Sequence, residues 1–184
     1  MWKKKLSLLV ILVSVLFGEN KESDKFTIIA HMANGVEAVK WAVEKGANGI
    51  EVDLNFKKTG ELNYFKHGGI CDCDCWQNSE HICQALLKKD NRKQVCNAKE
   101  TLSNMRTVIA ENSKKLALLY IDSKLDKSIN LKVVGQNVVT YLDTVFQKGF
   151  KGQVIVSAPE KDYIEYLKSV VEKAKDSPYN KTIL

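Results

Sequence analysis

Residues 26–56 read FTIIAHMANGVEAVKWAVEKGANGIEVDLNF, and this stretch carries the fold class. Phe26–Ala30 is a short apolar run of the kind a buried strand uses. Gly35–Lys45 places Val36, Val39, Ala42 and Val43 at helical spacing, and Gly46 supplies a stop. Gly49–Phe56 then alternates apolar and polar with period two. Strand, helix and strand in close succession predict parallel strands joined by a crossover helix.

The pattern continues toward the C-terminus. Glu61–Lys66 is a further short extended piece after the Thr59-Gly60 turn. A cysteine-rich loop occupies residues 68–96. Helix resumes at Thr101–Ser113, with Thr101 as its N-cap. Leu116–Ile121 (LALLYI) is a buried strand, Leu131–Lys148 a helix, Gln153–Ser157 a strand and Lys161–Lys175 an amphipathic helix. The class is therefore α/β, with about five strands expected parallel, the third with only an irregular crossover, and no internal repeat or low-complexity linker.

Composition narrows the setting. Apolar residues make up 45% and charged residues 27% of 184, which is globular and not disordered. Lys3, Lys4 and Lys5 precede the apolar run Leu6–Phe17, which Gly18 closes. Basic n-region, short h-region and polar exit predict a secretory signal peptide at 1–18, since a membrane span needs about 20 apolar residues. The formal charge of +6 then falls to about +3 in the mature chain. With no basic stripe and no interleaved aromatics, nucleic acid is excluded as a partner. Cys71, Cys73, Cys75, Cys83 and Cys96 are disulfide candidates in a secreted chain, and their odd number leaves one without a partner in this sequence. A zinc site fits poorly, because single-residue gaps in C-D-C-D-C crowd a tetrahedral ion.

Polar residues gather at the C-terminal ends of the expected strands. His31 follows FTIIA, Glu51 and Asp53 sit two apart and share a face, and His67 ends the third extended piece. Asp122 and Lys124 follow LALLYI, again two apart, and Ser157 ends the fifth strand. Each has a plainer reading: Glu51 and Asp53 as the solvent side of an edge strand, Asp122 and Lys124 as an exposed turn pair. Taken together they converge on one rim. Glu51, Asp53 and Asp122 are hard oxygen ligands suited to Mg²⁺. Two histidines can divide general acid and base duties, and Lys124 offers a cation to a developing phosphate charge. The set points to phosphodiester chemistry; no G-x-S-x-G elbow supports a serine nucleophile.

The motifs His31-Met32-Ala33-Asn34, G-A-N-G-I-E-V-D at 46–53, H-G-G-I-C-D-C at 67–73, Y-I-D-S-K at 120–124 and V-I-V-S-A-P at 154–159 resemble those of the spider and tick venom phospholipase D toxins. These are also called sphingomyelinase D or dermonecrotic toxins and are similar to glycerophosphodiester phosphodiesterases. The resemblance covers about residues 26–160. It implies a (β/α)₈ TIM-barrel fold, His31 and His67 as catalytic residues, Glu51, Asp53 and Asp122 as Mg²⁺ ligands, and Lys124 at the substrate phosphate. It further implies a secreted lyase acting at a membrane surface. In that reaction a hydroxyl of sphingomyelin or a lysophospholipid attacks phosphorus, expels choline or another alcohol and leaves a cyclic phosphate. Cys71 and Cys73 match the first two loop cysteines of the family, whereas Cys75 and Cys83 depart from its spacing.

A (β/α)₈ barrel takes about 250 residues, and residues 19–184 supply about five strands of one. The expectation is a partial barrel domain with an open edge beside its fifth strand. Two functional readings follow: a phospholipase D-type enzyme, or a shortened, non-catalytic relative that binds lipid headgroups or a host protein. The sequon Asn180-Lys-Thr182 is a candidate glycosylation site. Oligomeric state is not legible.

Overall fold

The computed structural model describes residues 27–67 and 99–184. The expected signal peptide (1–18) and cysteine-rich loop (68–96), with all five cysteines, lie outside the described residues, as does Phe26.

Strand β1 (Ile29–Ala30), helix α1 (Val36–Glu44) and strand β2 (Gly49–Phe56) form the expected strand–helix–strand unit. Ile29 lies opposite Gly49 in a parallel pair, so β1 is shorter than its apolar run. Gly35, at the N-cap of α1, has no side chain to cap with, and the Val36 N–H donates to Glu100 at 3.3 Å instead. The hairpin strand β3 (Leu62–Phe65) follows, then α2 (Leu102–Glu111), β4 (Leu118–Lys124), α3 (Leu131–Gln147), β5 (Gln153–Ser157), one 3₁₀ turn (Lys161–Tyr163) and α4 (Ile164–Lys175). Thr101 caps α2 as expected, its hydroxyl accepting from the Asn104 N–H at 3.1 Å. Asn130 caps α3 in the same way through the Val133 N–H.

Four strands are parallel, in the order β1-β2-β4-β5. Spatial order follows chain order, and right-handed crossovers then carry α1, α2 and α3 to the same face of the sheet. This single winding is compatible with part of a barrel. β2 lies between β1 and β4, so the edge-strand reading of Glu51 and Asp53 does not hold.

Two expectations about the strands are corrected. β3 is antiparallel to β2, with Leu54 opposite Phe65 and Phe56 opposite Leu62. The connection from Phe56 to Leu62 is too short for a crossover and forms a hairpin. Its turn uses Gly60 at φ 88°, a conformation natural to glycine, with the Gly60 N–H on the Lys57 carbonyl. The edge beside β5 is also not open. Val154 and Val156 donate to the carbonyls of Thr182 and Leu184, Leu184 donates back to Val154, and Ile183 lies parallel to Val154.

Alternation along the strands divides the sheet into two faces. Ile50, Val52 and Leu54 of β2, Leu119 and Ile121 of β4 and Val154 and Val156 of β5 turn toward the helices and are buried. There they meet Val39 and Val43 of α1, Met105, Val108 and Ile109 of α2, Val138 and Leu142 of α3, and Tyr166 and Val170 of α4. The opposite face carries Glu51, Asp53, Asp122 and Lys124. Ser123 is the polar member of the helix-facing side, and its hydroxyl lies 2.6 Å from that of Tyr166.

The α3–α4 contact depends on Gly135. A Cβ there would lie 2.8 Å from the Ser169 side chain and from the Tyr166 carbonyl oxygen. Overpacking of this kind costs about 1–3 kcal/mol. Gly135→Ala should therefore lower the thermal midpoint despite alanine's better helix propensity; an unchanged or raised midpoint would show that the two helices separate at little cost.

Candidate functional site

The site forms where β2 and β4 run side by side. Their register places Asp53 opposite Asp122 and Asn55 opposite Lys124, and β5 adds Ser157 opposite Asp122. Glu51 stands on the same face, one pleat below Asp53. Asp122 and Lys124, expected just past the end of LALLYI, lie within β4 itself.

This geometry brings three acids together. Oxygens of Glu51, Asp53 and Asp122 all lie within 4.8 Å of one another. Asp53 is fully buried and Glu51 is 7% exposed. Like charges this close must be offset. The Lys124 ammonium sits 2.7 Å from Asp53 Oδ1 and 2.6 Å from Asp122 Oδ2. Oδ1 of Asp53 takes no well-directed hydrogen bond, so its link to Lys124 is that of an ion pair. Burial acts against the Lys124 charge, but the hydrogen bond to Asp122 and the negative charges of Asp53 and Asp122 outweigh it and hold the ammonium above the usual lysine range. Ser157 completes this edge, its hydroxyl 3.4 Å from Asp122 Oδ1.

Glu51 carries the unrelieved part of the repulsion. Burial, then the charge of Asp53, push its carboxyl up to about 7, against a weaker downward pull from the Met32 N–H and Lys124. The turn after β1 supplies that N–H. Met32 adopts φ 58°, uncommon for a residue with a side chain. It thereby aims its N–H at Glu51 Oε2 at 2.6 Å, while Ala33 donates to the Glu51 carbonyl at 2.9 Å.

Of the two histidines, His31 stands at the margin of the acids. His31 is 73% exposed, with Nε2 3.7 Å from Glu51 Oε2. His67 is exposed and follows Lys66, whose N–H donates to the Asp53 carbonyl at 2.9 Å. The antiparallel return of β3 thus brings the backbone of Lys66 to the level of Asp53, although no parallel strand ends there.

Asn34 was not recognised as a site residue. It is buried, and its carboxamide both donates to Asp53 Oδ2 at 2.5 Å and accepts from the Asp53 N–H at 2.7 Å. Asn55 is a second such residue, bonding the Lys66 carbonyl. The available signal for Asn34 was its place three residues after His31, but its partner Asp53 lies 19 residues away and leaves no local signature; Asn55 and Lys66 are 11 apart.

Comparison with known proteins adds an independent line. The family described as dermonecrotic toxin SPH matches residues 21–183. A dermonecrotic toxin of Sicarius patagonicus is 29% identical over 162 residues, covering 83% of this chain and 55% of the toxin. One from Loxosceles laeta is 27% identical over 165 residues, with 85% and 55% covered. A shorter match, to a dermonecrotic toxin of Sicarius terrosus, reaches 44% over 54 residues, or 28% of this chain and 20% of the toxin. The chain spans about half the length of the relatives it matches along most of its sequence.

The raised Glu51 carboxyl has a measurable sign. A group protonated more readily in the folded than in the unfolded chain stabilises the fold below its ordinary value of 4.5 and loses that contribution as pH rises through about 7. In chelator, the denaturant midpoint should therefore fall between about pH 5 and pH 8. Glu51→Gln should flatten that decline; an identical pH slope in the variant would assign the effect to another group.

Proposed function

The chain belongs to the dermonecrotic toxin SPH family, and from that premise we propose that it is a secreted, Mg²⁺-dependent phospholipase D-type lyase. The observation that carries this reading is the convergence of Glu51, Asp53 and Asp122 from two neighbouring strands within 4.8 Å, with Lys124 among them and His31 at their margin. Three carboxylates, with no soft donor in the cluster among the described residues, suit a hard divalent cation, so these residues fit Mg²⁺. Bound there, it would polarise a phosphoryl oxygen and offset charge building on phosphorus.

The side chains divide the remaining work. Lys124 is suited to meet the phosphate of sphingomyelin or a lysophospholipid once a cation takes over the neutralisation of Asp53 and Asp122. A hydroxyl of the substrate attacks phosphorus and the bond from phosphorus to the headgroup oxygen breaks. The products are a cyclic phosphate and choline or another alcohol. Of His31 and His67, one takes the attacking proton and the other returns a proton to the leaving alcohol. Exposure of both imidazoles suits groups that must meet a substrate held at a membrane surface.

The remaining expectations fit this reading. The singly wound sheet, with Thr182–Leu184 alongside β5, supports a chain that makes up part of a (β/α)₈ barrel. Residues 1–18 would direct secretion, and Cys71, Cys73, Cys75, Cys83 and Cys96 would supply disulfides. A second reading is a non-catalytic relative that binds lipid headgroups or a host protein.

Phosphorus NMR of lysophosphatidylcholine and sphingomyelin, incubated with the chain and Mg²⁺, separates the two readings. The enzyme reading expects a cyclic-phosphate resonance that chelator abolishes. No product from a demonstrably folded chain would favour the binding reading. His31→Ala should reduce turnover at least 100-fold, the order typical of lost acid–base catalysis, with little change in the thermal midpoint because the imidazole is exposed. Retained activity would remove His31 from the mechanism.

A further inference from the structure

We propose that Asn34 is a positioning residue that fixes the orientation of the Asp53 carboxylate and locks the turn carrying His31 to the same ligand. The inference rests on the metal reading above and deepens it. Asn34 is 5% exposed and spends both ends of its carboxamide on one residue. Its orientation is dictated chemically: the Asp53 backbone N–H can only donate, so Asn34 Oδ1 must face it, which leaves Nδ2 to face the carboxylate.

That pairing immobilises Asp53 Oδ2 and leaves Oδ1 as the oxygen beside Lys124. The other two acids have different holds. Glu51 is held by the Met32 N–H, and Asp122 keeps side-chain exposure of 27% alongside Lys124. Ser157 stands off from Asp122 Oδ1 at 3.4 Å, whereas the Asn34 amide holds the fully buried Asp53 Oδ2 at 2.5 Å. An amide is suited to this duty because it donates a hydrogen bond without adding a positive charge that would oppose an incoming cation. Aspartate would lack the donor, and leucine would fill the space with neither donor nor acceptor.

The same residue ends the turn that begins at His31. Met32 and Ala33 both donate to Glu51, and Asn34 both donates to and accepts from Asp53, so each residue after the histidine is stitched to β2. Asn34 therefore couples the position of His31 to that of the ligand two residues beyond its own neighbour Glu51.

The test is binding and not turnover. Mg²⁺ affinity of the full chain is measured by calorimetry in wild type, Asn34→Ala and the near-isosteric Asn34→Leu, with circular dichroism confirming the fold. Bound Mn²⁺ is examined by electron paramagnetic resonance. Loss of a residue that orients a ligand should weaken Mg²⁺ about 10- to 100-fold and alter the zero-field splitting of Mn²⁺, which a merely destabilised scaffold would not do. Wild-type affinity and an unchanged Mn²⁺ spectrum in a folded variant would overturn the proposal. Should neither variant fold, the wild-type chain decides: the assigned Asn34 side-chain amide resonance should shift on Mg²⁺ addition, and a static resonance would overturn it. Failure of wild type to bind Mg²⁺ at all would remove the metal reading itself, an outcome distinct from intact binding that ignores Asn34.

Discussion

Carboxylates crowded onto adjoining strands repel one another, and much of the structure around them answers that repulsion. Two unit charges about 4 Å apart cost about 4 kcal/mol at an effective dielectric of about 20. Asp53 is fully buried and cannot shed its share to solvent. Lys124 offsets part of the charge, Asn34 and the Met32 N–H part of the desolvation, and Glu51 accommodates the rest by holding its proton up to about pH 7. A divalent cation held by these acids would take over the neutralisation that Lys124 now supplies.

The acids can be held there because the strands are anchored on their other face. Ile50, Val52 and Leu54 alternate with Glu51 and Asp53 and are fully buried against the helices. A one-residue slip of β2 would bury the acids among Val39, Val108 and Val138 and expose the aliphatics, so packing energy enforces the direction in which the carboxylates point. The register between β2 and β4 then brings Asp53 level with Asp122. Hydrophobic burial on one side thus stabilises electrostatic strain on the other.

How much of this was legible follows from which contacts are local. Period two in GIEVDLNF correctly predicted that Glu51 and Asp53 share a face, because alternation is a property of the strand alone. The same pattern left open a solvent-exposed edge, since position within a sheet depends on partners far along the chain. The direction of β3 was recoverable: the short link through Thr59-Gly60 admits a hairpin and no crossover. The pairing of Thr182–Leu184 with β5 was not, because three residues carry no periodicity. Asn34 stood in plain view after β1, yet only the fold reveals that its partner is Asp53.

The site also separates what must be rigid from what must be reached. Ligands that hold a cation have to be fixed to within a few tenths of an ångström, and strands backed by a packed core supply that stiffness. Glu51, Asp53 and Asp122, the ligands in the proposed reading, sit within β2 and β4. The histidines that the proposed reading has exchanging protons with a substrate need access instead, and a buried imidazole would lose its charged form to desolvation. His31 lies in the turn after β1 and His67 just past β3, both exposed. The turn from His31 to Asn34 joins the two requirements, since it carries an exposed histidine at one end and grips the buried Asp53 carboxylate at the other.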